Sequence, residues 1–178
     1  KISNIVQTGN SAGAAISVSG SNINLLNNFI DNLSQLSNAN SSGILGTNLV
    51  NSNISGNNIA TVVSGYAKTS SGITIIGLSS GLSINHNKIS GIINTAYGAN
   101  GIQLSSALTG SDIILYNNFI SSVAGYGNTS LSGTQDNGYG IIITSGSGYG
   151  LFYNSVLLNT DQSISGLPSA INITAGVT

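Results

Sequence analysis

The sequence predicts an all-β fold, a right-handed parallel β-helix of five to six coils of roughly 29–30 residues each. Three observations carry this. Short apolar strands return at a near-constant interval, a second motif built on asparagine keeps the same interval, and no segment shows a sustained 3.6-residue apolar pattern with caps. Composition agrees: 40% of residues are hydrophobic but only 4% are charged, and 24 glycines stand among Ile, Val and Leu. The single proline and the regular apolar spacing separate this chain from disordered, Gly-rich sequence.

The first strand of each coil reads apolar-x-apolar. Its examples are Ile16-Ser17-Val18, Ile44-Leu45-Gly46, Ile73-Thr74-Ile75, Ile102-Gln103-Leu104, Ile141-Ile142-Ile143 and Ile171-Asn172-Ile173. The leading isoleucines are separated by 28, 29, 29, 39 and 30 residues. Alternate residues of a strand face opposite sides, so Ile16 and Val18 face in and Ser17 faces out. One coil cannot hide its apolar edge alone; stacked coils can, and their backbones pair as parallel strands. At an interstrand spacing of roughly 4.8 Å, five to six coils make a rod roughly 25–30 Å long. The glycine before most of these strands is expected to supply a tight turn.

The second motif reads apolar-x-x-Asn-x-apolar. Its asparagines are Asn28, Asn57, Asn87, Asn118 and Asn154, separated by 29, 30, 31 and 36 residues. Each is expected to mark a corner, because asparagine tolerates left-handed backbone geometry and its side chain can bond to backbone or to the asparagine of the next coil. An inward column of five would satisfy its own amides. The fourth coil is longer by about ten residues, and the excess falls in an inserted loop at 124–138. Insertions in solenoids become loops on one face, often a binding face.

The stretches LLNNFI (25–30), ISGNNI (54–59), INHNKI (84–89), LYNNFI (115–120) and LFYNSV (151–156) resemble the parallel β-helix repeat shared by pectate-lyase-like proteins and many bacterial surface proteins. The phrase YNSVLLN at 153–159 also looks like repeats in large secreted proteins of gliding-type bacteria. This resemblance covers nearly the whole chain and speaks for architecture. It implies no single function, since such folds include lyases, hydrolases, epimerases, tail fibres and adhesive stalks.

Candidate chemistry is sparse. A polysaccharide lyase of this kind is expected to hold calcium with several carboxylates and to carry an Arg or Lys base. The chain has no arginine, and its acids are Asp31, Asp112, Asp136 and Asp161. Counted from the corner asparagines they fall in different columns, which disfavours both a calcium cluster and a hydrolytic carboxylate pair. His86 has no carboxylate near it in sequence and reads as a turn residue, with Lys88 beside it facing solvent. No nucleophile elbow or phosphate loop is present. No catalytic residue, metal site or cofactor is therefore assigned. Absence of cysteine excludes disulfides and Cys-ligated metals.

Partner contact is expected on one face. Tyr66, Tyr97 and Tyr126 follow their corner asparagines by nine, ten and eight residues and could make a stripe beside the inserted loop, where Asp136 and Asn137 lie. Tyrosine offers a flat apolar body with a polar tip, suited to sugar rings. With three lysines, four aspartates and a net charge of −1, the chain cannot build a nucleic-acid surface. No apolar run is long enough to cross a bilayer as a helix. The expectation is one β-helix domain over 1–178, a segment of a longer protein, at the bacterial cell surface or secreted. Its expected role is a non-catalytic structural or adhesive module contacting polysaccharide or other surface proteins, with further coils or chains stacking on its ends. The alternative is a fragment of a polysaccharide lyase or glycoside hydrolase whose catalytic coils lie elsewhere.

Overall fold

The computed structural model describes residues 1–130, 136–174 and 176–177. The chain winds as a right-handed parallel β-helix with three sheets running along its axis. Sheet I is built from β2 (Gly13–Ser21), β5 (Ser41–Val50), β8 (Ser70–Gly77), β11 (Ala99–Ser106), β14 (Gly138–Ser145) and β17 (Ser169–Ile173). Sheet II holds β3 (Asn24–Leu26), β6 (Asn53–Ser55), β9 (Ser83–Asn85), β12 (Ile113–Tyr116) and β15 (Tyr149–Phe152). Sheet III holds β1 (Ile2–Gln7), β4 (Phe29–Gln35), β7 (Asn58–Ser64), β10 (Lys88–Asn94), β13 (Phe119–Ala124) and β16 (Ser155–Leu157). Each coil passes through I, II and III in turn, and every strand pairs in parallel with its counterpart one coil away.

Like residues sit over like. Ile16, Ile44, Ile73, Ile102, Ile141 and Ile171 are in register along sheet I. Leu25, Ile54, Ile84, Leu115 and Leu151 stack along sheet II. Ile30, Ile59, Ile89, Ile120 and Val156 stack along sheet III. These columns meet in one core, in which the isoleucines of the middle coils are fully buried. At about 25 cal/mol per Å² of apolar surface removed from water, each such side chain contributes about 2–3 kcal/mol.

Two local expectations need correcting. The glycines at 43, 72, 101 and 140 do not turn the chain through a left-handed conformation; none of them has a positive φ. They are small because sheet I comes close to sheet III there. A Cβ on Gly72 would lie 2.5 Å from Ile89 Cγ2 and 2.6 Å from the Gly101 carbonyl oxygen. The same collision recurs in register at the other three, and the two end coils carry Ala15 and Ala170 in this column.

The ladder asparagines are likewise not the left-handed residues at the corner. That conformation belongs to the residue before each: Asn27 (φ 54°), Gly56 (φ 67°), His86 (φ 52°), Asn117 (φ 53°) and Tyr153 (φ 52°). A similar column at Asn4, Asn32, Thr61, Gly91 and Ser122 bends sheet III, and another at Asn22, Asn51, Gly81, Asp112 and Gly148 precedes sheet II. The chain thus turns on single residues repeated at the coil interval. Asparagine and glycine are frequent at these positions because both reach this region at little cost.

Candidate functional site: a recessed polar groove on sheet I

Outward positions of sheet I alternate with the buried isoleucines, so their character is independent of the core. Thr74 stands between Ile73 and Ile75, Gln103 between Ile102 and Leu104, and Ile142 between Ile141 and Ile143; the three are in register. Beside them runs a second column, Ser42, Ser71, Asn100 and Tyr139. An outer sheet face is ordinarily open to water, yet Ser42, Ser71, Thr74, Asn100, Tyr139 and Ile142 are only 1–8% exposed. They form the floor of a groove.

The connections from sheet III to sheet I wall one side of it. Asn40 and Thr69 border a cavity of about 110 Å³ over the earlier coils, with Ser42, Ser71, Thr74 and Gln103 beneath. Thr69 and Tyr97 border a wider one of about 330 Å³ over the later coils, with Asn100, Gln103, Tyr139 and Ile142 beneath. Thr69 and Gln103 line both, so the two are parts of one groove along the axis. From Ser42 to Tyr139 it crosses three coil steps, about 14 Å at the ordinary interstrand spacing.

Its side chains are held by one another. Ser42 Oγ and Thr74 Oγ1 share a hydrogen bond of 2.9 Å. Gln103 Oε1 accepts from Asn100 Nδ2 at 3.3 Å and Ser71 Oγ at 3.4 Å, which leaves the Gln103 Nε2 donor uncommitted by either bond. Asn40 Oδ1 accepts from the Thr69 backbone N–H at 3.1 Å and tethers the wall. The residues lining both cavities include no lysine, arginine, aspartate, glutamate or histidine.

Of the residues singled out in sequence, Tyr97 alone lines this groove. Burial, and secondarily the negative charge of Asp136, push its hydroxyl above the ordinary tyrosine pKa. Tyr66 and Tyr126 stay partly exposed, and neither lines either cavity. The loop 125–137 joins β13 to β14 where 95–98 suffices one coil earlier; residues 131–135 of the expected insertion at 124–138 lie outside the described residues.

Asn137 does not offer its side chain to a partner. It is fully buried, and its Oδ1 accepts from the Asn128 N–H (3.0 Å), the Leu167 N–H (2.8 Å) and Gln162 Nε2 (3.1 Å), while its Nδ2 donates to the Asn128 carbonyl (3.0 Å). It clamps the inserted loop to the segment after β16. Asp136 stays partly exposed beside it, its Oδ2 3.5 Å from Asn128 Nδ2.

The five ladder asparagines lie on the inside of the corner between sheets II and III. Nδ2 of Asn28, Asn57, Asn87 and Asn118 donates to the Oδ1 of the next rung at 2.9–3.0 Å. The same Oδ1 accepts the backbone N–H of the previous rung at 2.9–3.1 Å. The second Nδ2 hydrogen of Asn57, Asn87, Asn118 and Asn154 goes to the carbonyl of Leu25, Ile54, Ile84 and Leu115. In the three middle rungs each amide makes two donated and two accepted bonds, leaving nothing for a ligand.

Acids and histidine are scattered. Asp31 pairs in register with Ser3 and Ala60, Asp112 is an exposed corner residue, and Asp161 lies in the loop after β16. His86 is exposed, its ring held by Asn85 Oδ1 at 2.8 Å and edge-on to Tyr116. Among the described residues no group of three or more His, Cys, Asp or Glu could hold a metal ion. Among the described residues no helix is long and apolar enough to cross a membrane.

Fold and groove define a parallel β-helix scaffold with an uncharged polar face. No family model, curated protein or solved structure matches the chain; the right-handed parallel β-helix architecture expected from the repeats is present, and no match supports membership of the pectate-lyase-like family.

Proposed function

We propose that this chain is a stiff, non-catalytic module of a secreted or cell-surface bacterial protein, and that its sheet I groove contacts glycan. The recessed groove carries the reading. A solenoid needs polar residues outside but has no structural need to sink Ser42, Ser71, Thr74, Asn100 and Tyr139 below the surface. The interior supports the scaffold role, since stacked isoleucine columns and a saturated asparagine ladder make every coil depend on its neighbours. Low charge with abundant hydroxyl and amide groups suits a hydrated contact surface of little electrostatic selectivity. Further coils, of this chain or another, are proposed to stack on the ends, because the ladder is directional: its last rung presents the Asn154 N–H and its first the Asn28 Oδ1.

Retention on insoluble polysaccharides tests the reading. The chain should be held by at least one of them and should release no reducing ends or unsaturated products during prolonged incubation. Product release would overturn it in favour of a fragment of a polysaccharide lyase or hydrolase.

A further inference from the structure

The geometry points to a specific ligand class for the groove: an uncharged, unbranched glycan lying lengthwise across the coils, with Asn100 and Gln103 as its central polar contacts and Tyr97 and Tyr139 at the wider part. This rests on the glycan-contact reading above and adds the charge and the shape of the ligand.

Backbone saturation excludes the commonest rival. The strands of the floor are paired on both sides, β5 with β2 and β8, β8 with β5 and β11, and β11 with β8 and β14. An extended peptide binds a sheet by adding to a free edge, and this face has no edge to offer. Whatever lies in the groove is read by side chains alone. Beside the apolar Leu45, Ile76 and Ile142, the polar side chains are hydroxyls, carboxamides and tyrosines, which suit a ligand that both donates and accepts hydrogen bonds along its length.

Charge narrows the class. An acidic polysaccharide entering a recessed groove would shed water from its carboxylates and needs cations to replace it. The lining provides none. The nearest positive group in sequence, Lys68, is exposed beside the wall residue Thr69. At the wider part the nearby charge is negative: after burial, Asp136 is the second cause that disfavours the Tyr97 phenolate, and it would act on a sugar carboxylate in the same sense.

Repetition narrows the shape. Ser42, Ser71 and Asn100 follow one another at the coil spacing, as do Thr74 and Gln103. Equivalent groups at equal steps match a polymer of equivalent units better than one compact molecule. The shared lining at Thr69 and Gln103 keeps the path continuous, and a side branch directed toward the connections from sheet III would meet the wall. Tyr97, half-buried in the wall, supplies a flat face for the apolar side of a sugar ring.

Titration calorimetry with the whole chain decides the matter. The probes are linear hexasaccharides of glucose, mannose and galactose, and the hexamer of galacturonic acid. At least one neutral hexamer should bind, with affinity unaffected by added salt, while the galacturonate hexamer should bind at least tenfold more weakly. The double variant Asn100→Ala/Gln103→Ala and, separately, Tyr97→Ala should each weaken the neutral probe at least tenfold. All of these side chains lie outside the core, and an unchanged urea midpoint checks that each variant folds. Equal or tighter binding of galacturonate overturns the charge assignment. The glycan-contact reading of the groove stands in that case. Neutral binding unchanged in both variants overturns the groove as the contact surface, and with it that reading. If neither these hexamers nor insoluble polysaccharides bind, both fail together.

Discussion

A single asparagine at the corner between sheets II and III shows how a polar residue can stabilise an apolar interior. Asn87 is 1% exposed and has no water to fall back on. Its Oδ1 accepts from Asn57 N–H and Nδ2, and its Nδ2 donates to Asn118 Oδ1 and the Ile54 carbonyl. Alanine there would strip two donors of Asn57 of their acceptor and leave the Ile54 carbonyl without this donor. A buried polar group without a partner costs about 1–3 kcal/mol. Asn87→Ala should therefore lower stability by about 2–4 kcal/mol in urea unfolding, whereas Lys88→Ala, one residue away and exposed, should stay within about 0.5 kcal/mol. Equal effects at the two positions would mean that the ladder is not an energetic unit. Sequence reasoning found these five residues from spacing alone. It assigned the left-handed turn to the wrong member of the pair, because Asn-Asn at 27–28 and 117–118 gives no local sign of which asparagine turns and which points inward.

Sheet I as an element is decided by the distance between it and sheet III. Its inner glycines let the two backbones approach until a methyl group no longer fits. Gly72→Ala would drive Cβ against the Gly101 carbonyl, a backbone atom that cannot rotate away, and against Ile89. Overpacking of this kind costs about 1–3 kcal/mol. Gly65→Ala makes the control: its nearest neighbour would be Thr95 Oγ1 at 3.4 Å, an ordinary contact, and the expected change is within about 0.5 kcal/mol. Thermal or urea unfolding of the two variants separates them. The outer side of the same sheet answers to different demands. Nothing in the packing of Ile73 and Ile75 dictates that Thr74 be polar or sunken, which is why this face, rather than the interior, is where function is sought.

At the scale of the whole molecule, stability accumulates coil by coil. Each coil touches only its neighbours, so the middle coils are supported on two sides and the outer ones on one. Hydrogen exchange should follow that gradient. Amides of β8 and β11 should be the most protected, and those of β1 and β17, each paired on one side only, the least. Uniform protection along the axis would instead indicate one indivisible cooperative unit. The same one-dimensional logic explains the tolerance of the long connection 125–137: the extra residues leave the register of β11 and β14 intact from Ala99 to Leu104.

The winding of the chain was written in its sequence, because repeat spacing is a one-dimensional quantity. A column of isoleucines or asparagines at constant interval has one economical three-dimensional solution, and the strand register follows from it. The groove was not legible in the same way. Ser42, Ser71, Asn100 and Gln103 look like ordinary exposed strand residues, and nothing in their order says that the connections at Asn40, Thr69 and Tyr97 rise beside them into a wall. Depth depends on how far a loop stands off the sheet, and that is set by packing between segments far apart in the chain. For the same reason Asn137, conspicuous in a polar loop, proved to be an interior clamp. Periodicity decided what stacks on what; only the tertiary structure decided which outward residues remain in reach of a partner.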